Sequence, residues 1–450
     1  MQRRGGDWIS RPQRAPALCD ARRPHAGDGG AQPQYARCMN AAAFARAIDP
    51  DATDPLPKRW REGGGRLRAP EDLAAALRPR LARFGVTRVA RVTRLDRIGI
   101  ECVSVVRPGG LGLSVLGGKG VDRAAAWVSG AMEAVEVAAA ESPDPPLRFA
   151  AADAIARAVA PLDLVSAPRA RALPDPSPPI LWAPAVTLRG GAPAVVPFDL
   201  VHARWLAAER PADPLFAPST NGLASGSHPA EATLHGLCEL VERDACALFP
   251  RLAPEARAAR RIDPGSIDHP PLAAMLDRVA DAGLDWAVWD ATTDVGLPVA
   301  LCAIAGRGPA GGPPGFGAGC HPSRSTAGLR AVTEAAQTRL VAMAGARDDL
   351  DPAQFGDRAA AHFRWAFEGL AAPAGRDWRA LPTFESDDLR ADLRAAATGV
   401  EAAGCGPVLA LDISPAPDLA VVRVFAAGLE PAGGPEAPGA RAARAAACFA

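Results

Sequence analysis

NGLASGSHPAEATLHGLCELVERDACALF, running from Asn221 to Phe249, opens with Gly222 and Gly226 and then passes through Pro229 into a run of Ala, Leu and Glu. Proline at the first turn and good helix formers beyond it predict a helix to about Leu248. At ~100° per residue, Glu231, His235, Glu239 and Glu242 fall within roughly 80° of one another, so three carboxylates share one stripe with a histidine. Like charges at that spacing repel, and a helix carries them cheaply only where the stripe faces water or a cation. Its other faces hold Ala232, Leu234, Leu237, Cys238, Leu240, Val241 and Ala245, too apolar for an exposed helix. The stripe is therefore expected to look into a lined cavity, with a divalent metal as the natural occupant.

Outward from this helix, two other stretches repeat its plan. LSVLGGKGVD (113–122) predicts a strand that ends in a glycine turn, capped by Asp122 and opening a helix to about Glu141. Ser129, Glu133 and Glu136 lie on one face of that helix. The turn is not a P-loop, because Leu113 and Gly120 stand where Gly and Ser or Thr are needed, and a G-x-G-x-x-G begun at Gly110 breaks at Val115. Lys119 in a glycine turn at a helix start can still meet a phosphate, with a solvated turn lysine as the equal alternative. GFGAGCHPSRSTAGLRAVTEAAQTRL (315–340) aligns Ser323, Arg330, Glu334 and Gln337 on one face, with Arg339 opposite and expected in solvent. Gly120 precedes Glu133 by the same interval as Gly226 precedes Glu239, a weak repeat of strand, glycine turn and acidic helix.

The chain as a whole bounds what these helices serve. Fifty basic and fifty acidic residues cancel, which argues against bulk nucleic-acid or anionic-membrane binding. Nine cysteines are scattered without C-x-x-C or paired Cys/His spacing, so neither a disulfide scaffold nor a structural zinc site is expected, and a reducing cytoplasm fits. No run approaches the ~18 apolar residues of a membrane span, and the Arg-rich N-terminus lacks the apolar core of a secretory signal. Residues 1–55 are expected to be disordered, a candidate start-site extension upstream of Met39; 56–430 form the catalytic domain, and 431–450 a loose tail rich in Pro, Gly, Ala and Arg. Within the domain, a helix over 70–83, strands over 86–93 and 98–108, strand pairs about Gly190-Gly191 and near Asp294-Val295-Gly296, helical signal over 353–403 and two closing strands complete an α/β pattern. His228 and His321 sit in matching H-P turns and are expected to cap helices; Cys238 and Cys246 are expected to pack in the central one.

Ser129-x3-Glu133-x2-Glu136, then Glu231 through Glu239-x2-Glu242-Arg243-Asp244, then Glu334-x2-Gln337 resemble, in order, the ATP-binding motifs of the YcaO-domain family. The resemblance runs from about Lys58 to Leu429, and RLDRIGI (94–100), SVLGGKG, the 319–340 helix and GARDDL (345–350) look closer to the branch encoded alongside TfuA proteins.

The resemblance implies mixed sheets with three acidic helices lining a nucleotide cavity. It also implies ATP- and Mg²⁺-dependent activation of a peptide backbone amide by phosphorylation. Carried over to this chain, Glu133, Glu136, Glu239 and Glu242 form the metal shell and Lys119 and Arg243 contact phosphates. Ser129, Ser227, Glu231, Arg330, Glu334 and Gln337 complete the nucleotide site. Ser227 stands where the family usually has Asn, a shorter donor that puts that contact in question. In TfuA-linked members an external sulfide is the nucleophile, which implies a thioamide product, a precursor peptide or protein as substrate, a TfuA-like partner and a sulfur donor, with a homodimer also compatible. Cyclodehydratase relatives form azolines and tend to end in a P-x-P-x-P tail, whereas this chain ends ARAAACFA. The alternative outside enzymes is an ATP-binding or peptide-docking partner protein.

Overall fold

The computed structural model describes residues 40–60, 64–157, 159–162, 178–204, 215–216, 219–306, 311–346, 364–431 and 439–449. Helix α1 (Ala41–Ile48) starts at Asn40, whose side chain accepts from the Ala43 N–H at 2.8 Å, and it buries Phe44, Ala45 and Ile48. The unstructured segment expected up to residue 55 is thus corrected from Asn40 onward, since a short apolar face sits inside a polar composition; residues 1–39 lie outside those described. Helix α2 (Pro70–Leu77) runs into a 3-10 turn to Phe84, and β1 (Arg88–Arg91), β2 (Glu101–Val106) and β3 (Val115–Gly120) form an antiparallel sheet in that order. Helix α3 (Arg123–Glu141), capped by Asp122 as expected, folds back on β3.

The next strands build the largest sheet. β4 (Arg148–Ala150), α4 (Ala152–Ala156), β5 (Ala160–Pro161), β6 (Ile180–Thr187), β7 (Pro193–Pro197) and β8 (Leu223–Gly226) lead into the central helix α5 (Pro229–Leu248). After α6 (Pro254–Ala258) and α7 (Pro270–Asp281), β9 (Leu284–Asp290), β10 (Val299–Gly306) and β11 (Gly315–Cys320) make a second antiparallel sheet, on which α8 (Arg324–Ala344) packs. β12 (Val408–Asp412) and β13 (Ala420–Ala426) return to complete the seven-stranded order β5-β7-β6-β12-β13-β8, with β4 on β6. The helical signal over 353–403 appears, among the described residues, as Arg364–Glu368 and Leu389–Ala402, interrupted where Pro373 and Pro382 cannot continue a helix; 353–363 lie outside the described residues. The result is a mixed α/β fold of several open sheets, and among the described residues no helix is long and apolar enough to cross a membrane.

Two of the three glycine turns, those before α3 and α8, are instead glycine strands, whereas Gly222 before β8 does stand in a turn, at φ +77°. Gly118 lies within β3, where an added Cβ would stand 2.3 Å from the backbone nitrogen of Gly130 on α3. Gly317 lies within β11, where a Cβ would stand 2.3 Å from the carbonyl oxygen of Ala331 on α8. Each helix therefore lies on its own strand at a distance that only a missing side chain permits. Lys119 accordingly projects from a strand, not from the turn at a helix start.

Arg339 corrects another expectation. It is buried, 1% exposed, with Nε donating to Asp96 Oδ2 at 2.9 Å and Nη2 to the Gly311 carbonyl at 3.1 Å. Its helix meets the loop of Asp96 on the side away from the acidic face, so the guanidinium is enclosed rather than hydrated. Asp96→Ala leaves that charge buried without its partner, and an expected loss of about 3–5 kcal/mol in chemical denaturation follows; a loss under 1 kcal/mol, roughly the worth of an exposed pair, contradicts the burial.

Candidate functional site

The N-terminus of α5 is built by His228, whose ring accepts from the Ala230 N–H at 3.1 Å, with Pro229 behind it. His321 binds the Ser323 N–H in the same way at 3.0 Å, one position outside the start of α8, so it closes the turn rather than capping the helix. These two hairpins and β3–α3 bring their polar faces together through a chain of contacts.

Ser225 of β8 donates to Glu136 of α3 at 2.6 Å. Burial pushes Glu136 up to about 8, the Ser225 hydroxyl opposes this, and the neighbouring Glu133 and Glu239 carboxylates add to it. Glu239 receives a hydrogen bond from Arg243 Nη2 at 3.1 Å one turn along α5, yet burial still raises it against Arg243, Arg423 and Arg330. Glu242 accepts from the Cys320 N–H of β11 at 3.0 Å, and burial followed by the Glu334 charge pushes it up to about 7. Burial acts on Glu334 in the same direction, but Lys119, Arg330 and Arg243 together outweigh it and hold this carboxyl low. Lys119 makes a direct ion pair with Glu334, tying β3 to α8.

The remaining expected residues stand around this chain. The Lys119 N–H donates to Ser129 Oγ at 3.3 Å, and Gln337 lies so close to β3 that a Cβ on Gly117 would meet its Nε2. Arg330 Nη2 stands 3.2 Å from His235 Nε2. Burial and the charges of Arg330, Arg66 and Lys119 lower the pKa of His235 far below its ordinary value, so the ring is neutral, accepting at Nε2 and bearing its proton on Nδ1. Ser227 and Glu231 form a separate group at the start of α5: Ser227 donates to Glu231 at 2.7 Å and Arg66 at 3.1 Å, about 12 Å along the helix axis from Glu239. Sequence reasoning assigned no role to Arg66, Ser225 or Arg423. Arg66 carried a signal in its basic segment; the other two become polar neighbours of the site only through strand pairing.

The four glutamates expected to bind metal are not gathered into a ready-made shell. Among the described residues no three His, Cys, Asp or Glu side chains are arranged to hold a metal ion. Glu136, Glu239 and Glu242 instead turn to Ser225, Arg243 and the Cys320 backbone, as mutually repelling carboxylates do without a cation between them. A divalent ion fits their chemistry all the same, because it would remove the burial and like-charge penalties that raise Glu136 and Glu242. Cys238 and Cys246 pack in α5 as expected, Cys238 buried and Cys246 half-buried, with burial raising the Cys246 thiol.

Residues 117–430 match the family model described as YcaO cyclodehydratase, ATP- and Mg²⁺-binding. A protein from the tfuA 3′ region of Rhizobium leguminosarum bv. trifolii is 39% identical over 389 residues, covering 80% of this chain and 87% of that one. A protein of Methanothermobacter thermautotrophicus is 31% identical over 380 residues, 80% of this chain and 94% of that one. Among solved structures, a heterocyclase in complex with substrate and cofactor aligns with a TM-score of 0.70 at 22% identity, over 87% of this chain and 56% of that one. The YcaO protein of Methanopyrus kandleri bound with AMPPCP and Mg²⁺ aligns with a TM-score of 0.66 at 23% identity, over 85% and 99%. At those identities the structural likeness speaks for the fold.

The raised carboxyls set a pH dependence. Folding lifts Glu136 to about 8 and Glu242 to about 7 from an ordinary 4.5, so between those values the folded chain holds more protons than the unfolded one. Their contribution to stability is complete below pH 4.5 and is lost as the pH climbs through about 7 to 8. Thermal unfolding of the ligand-free protein across this window is expected to show a falling midpoint, and Glu136→Gln to flatten the decline. An undiminished slope in that variant contradicts the assignment.

Proposed function

This chain belongs to the YcaO family, and from that premise we propose that it is an ATP- and Mg²⁺-dependent enzyme that exchanges the oxygen of a backbone amide for sulfur in a ribosomally made peptide or a protein. The observation that carries the proposal is the linked set of acidic and basic side chains from α3, α5 and α8, joined through Lys119–Glu334, Ser225–Glu136 and Glu242–Cys320. In this reading Glu133, Glu136, Glu239 and Glu242 hold Mg²⁺, Lys119 and Arg243 face phosphates, and Ser129, Ser227, Glu231, Arg330, Glu334 and Gln337 hold the rest of the nucleotide. The relative from the tfuA 3′ region supports a TfuA-like partner, and with it an external sulfide as nucleophile.

The chemistry balances. Hydrosulfide adds to the amide carbon, the oxyanion formed takes the terminal phosphoryl group of ATP, and phosphate departs with the C–O electron pair while the S–H proton passes to solvent, leaving C=S. What the chain supplies is positioning and charge: cationic side chains offset negative charge on the transferring group, and buried carboxylates fix the metal. Neutral His235 keeps Arg330 oriented without adding a competing charge.

Mass spectrometry of a substrate co-expressed with this chain and a TfuA-like protein is expected to show a gain equal to the difference between sulfur and oxygen. Loss of one water instead identifies azoline formation. Glu239→Ala is expected to cut product formation by about a hundredfold or more while peptide binding persists. Unchanged product in that variant removes the catalytic reading and leaves a docking protein.

A further inference from the structure

β1 is an edge strand: among the described residues it pairs with β2 alone. The register fixes which of its backbone groups are engaged. Val92 N–H donates to the Cys102 carbonyl at 3.0 Å. In an antiparallel ladder every second residue bonds in this way, so Ala90 and Arg88 face β2 through their partners Ser104 and Val106. The next ladder agrees, since Arg107 N–H donates to the Ser114 carbonyl at 2.8 Å, which turns the groups of Val103 and Val105 toward β3. Val89 and Arg91 therefore direct their N–H and C=O groups away from the sheet, an open row on the β1 edge.

Arginines surround that row. Residues 78–97 hold seven arginines and a single acid, Asp96, which is buried against Arg339. Arg78 lies over the Trp127 ring, Arg80 pairs with Asp418 and Arg91 with Glu101. Arg83, Arg88, Arg94 and Arg97 are exposed and form no ion pair among the described residues. Two of them stand at the start of β1 and two just beyond its end. Charges on a short edge strand keep it from pairing with its own kind, because a second copy brings arginine against arginine. The same charges admit a strand of opposite sign. Phe84, the one aromatic residue of the segment, is buried, so the patch lacks the stacking platform that single-stranded nucleic acid uses.

We infer that the β1 edge docks an extended acidic segment of a partner protein, which joins the sheet as a fourth strand. The backbone groups of Val89 and Arg91 supply the pairing, and the unpaired arginines at the two ends select for acidic side chains. Such a strand lies three strand spacings, roughly 14 Å, from β3, which carries Lys119. Docking there leaves the Lys119–Glu334 region uncovered, as suits a partner that stays bound rather than a segment that reacts. The inference does not rest on the reaction proposed above, because docking is read without turnover.

A fluorescent peptide of alternating Glu and Val is titrated with the full chain and followed by anisotropy. Beside it run the same peptide with Lys in place of Glu and the same peptide N-methylated at every central amide, which blocks strand pairing but keeps the charge. Saturable binding of the acidic peptide is expected, weaker by about tenfold or more for each control. Val89→Pro removes an N–H that points outward and costs no β1–β2 bond, and proline is tolerated at such an edge position. It is expected to weaken the acidic peptide about tenfold or more, as is Arg88→Glu combined with Arg94→Glu. Should Val89→Pro fail to fold, the N-methylated peptide decides. The inference is overturned if the acidic peptide does not bind, if its N-methylated form binds equally well, or if an RNA oligomer binds more tightly. A self-association of the chain that Val89→Pro abolishes also overturns it, because the edge then serves a second copy.

Discussion

Carboxylates that share a half-buried space cannot all ionise unless cations lie between them, and most of the geometry around α5 answers that constraint. Glu334 is satisfied by Lys119 and stays ionised, whereas Glu136 and Glu242 lack such a partner and are held toward protonation. Glu239 has Arg243 and is raised nevertheless, since burial exceeds what Arg243, Arg423 and Arg330 together return. The set is electrostatically unfinished on the acidic side. In the function proposed above, a divalent cation with its bound phosphates would complete it, so the residues that strain the ligand-free chain are the ones proposed to hold a magnesium nucleotide.

Bringing acids of three helices so close requires that each helix lie almost on top of a strand. The glycines of β3 and β11 permit this, and their absent side chains leave room for the backbones of α3 and α8. The glycines of these strands therefore set the spacing of the site although they bring no side chain to it, while Lys119 of β3 and the Cys320 N–H of β11 reach Glu334 and Glu242 directly. The two links between hairpins that use backbone or serine, Cys320 N–H to Glu242 and Ser225 to Glu136, depend on the same closeness.

Local features were legible in the sequence. Asp122 and His228 cap the helices their positions predict, and the stripes on α3, α5 and α8 carry the faces that helical periodicity assigns. The glycine runs misled because a strand under a helix and a turn use the same residue for different reasons: one needs no Cβ, the other needs a positive φ. Gly118 and Gly317 have no positive φ and belong to the first kind. Arg339 misled because its partner Asp96 lies 243 positions away, beyond any periodicity. Arg423 passed unnoticed for a related reason: it sits in an apolar strand whose alternation says nothing of the Leu200 and Ser219 carbonyls its guanidinium binds.

The segment after residue 431 shows how far such distant pairing reaches into the site. Composition reads it as loose, yet Arg441 is buried between Asp244 and Asp294, with Nε 3.0 Å from Asp244 Oδ1. Glu430 accepts from the Gly439 and Ala442 N–H groups at 3.1 and 2.9 Å, and its own N–H donates to Asp244 at 2.9 Å. Asp244 adjoins Arg243 on α5, on the turn that also carries Glu242. A buried carboxylate there would be costly alone, and its guanidinium partner comes from a segment that looks dispensable. The two ends of this pairing stabilise one another: the tail is ordered by a charge on the central helix, and the C-terminal half of that helix, from which Glu239, Glu242 and Arg243 project, keeps its place because the tail covers Asp244.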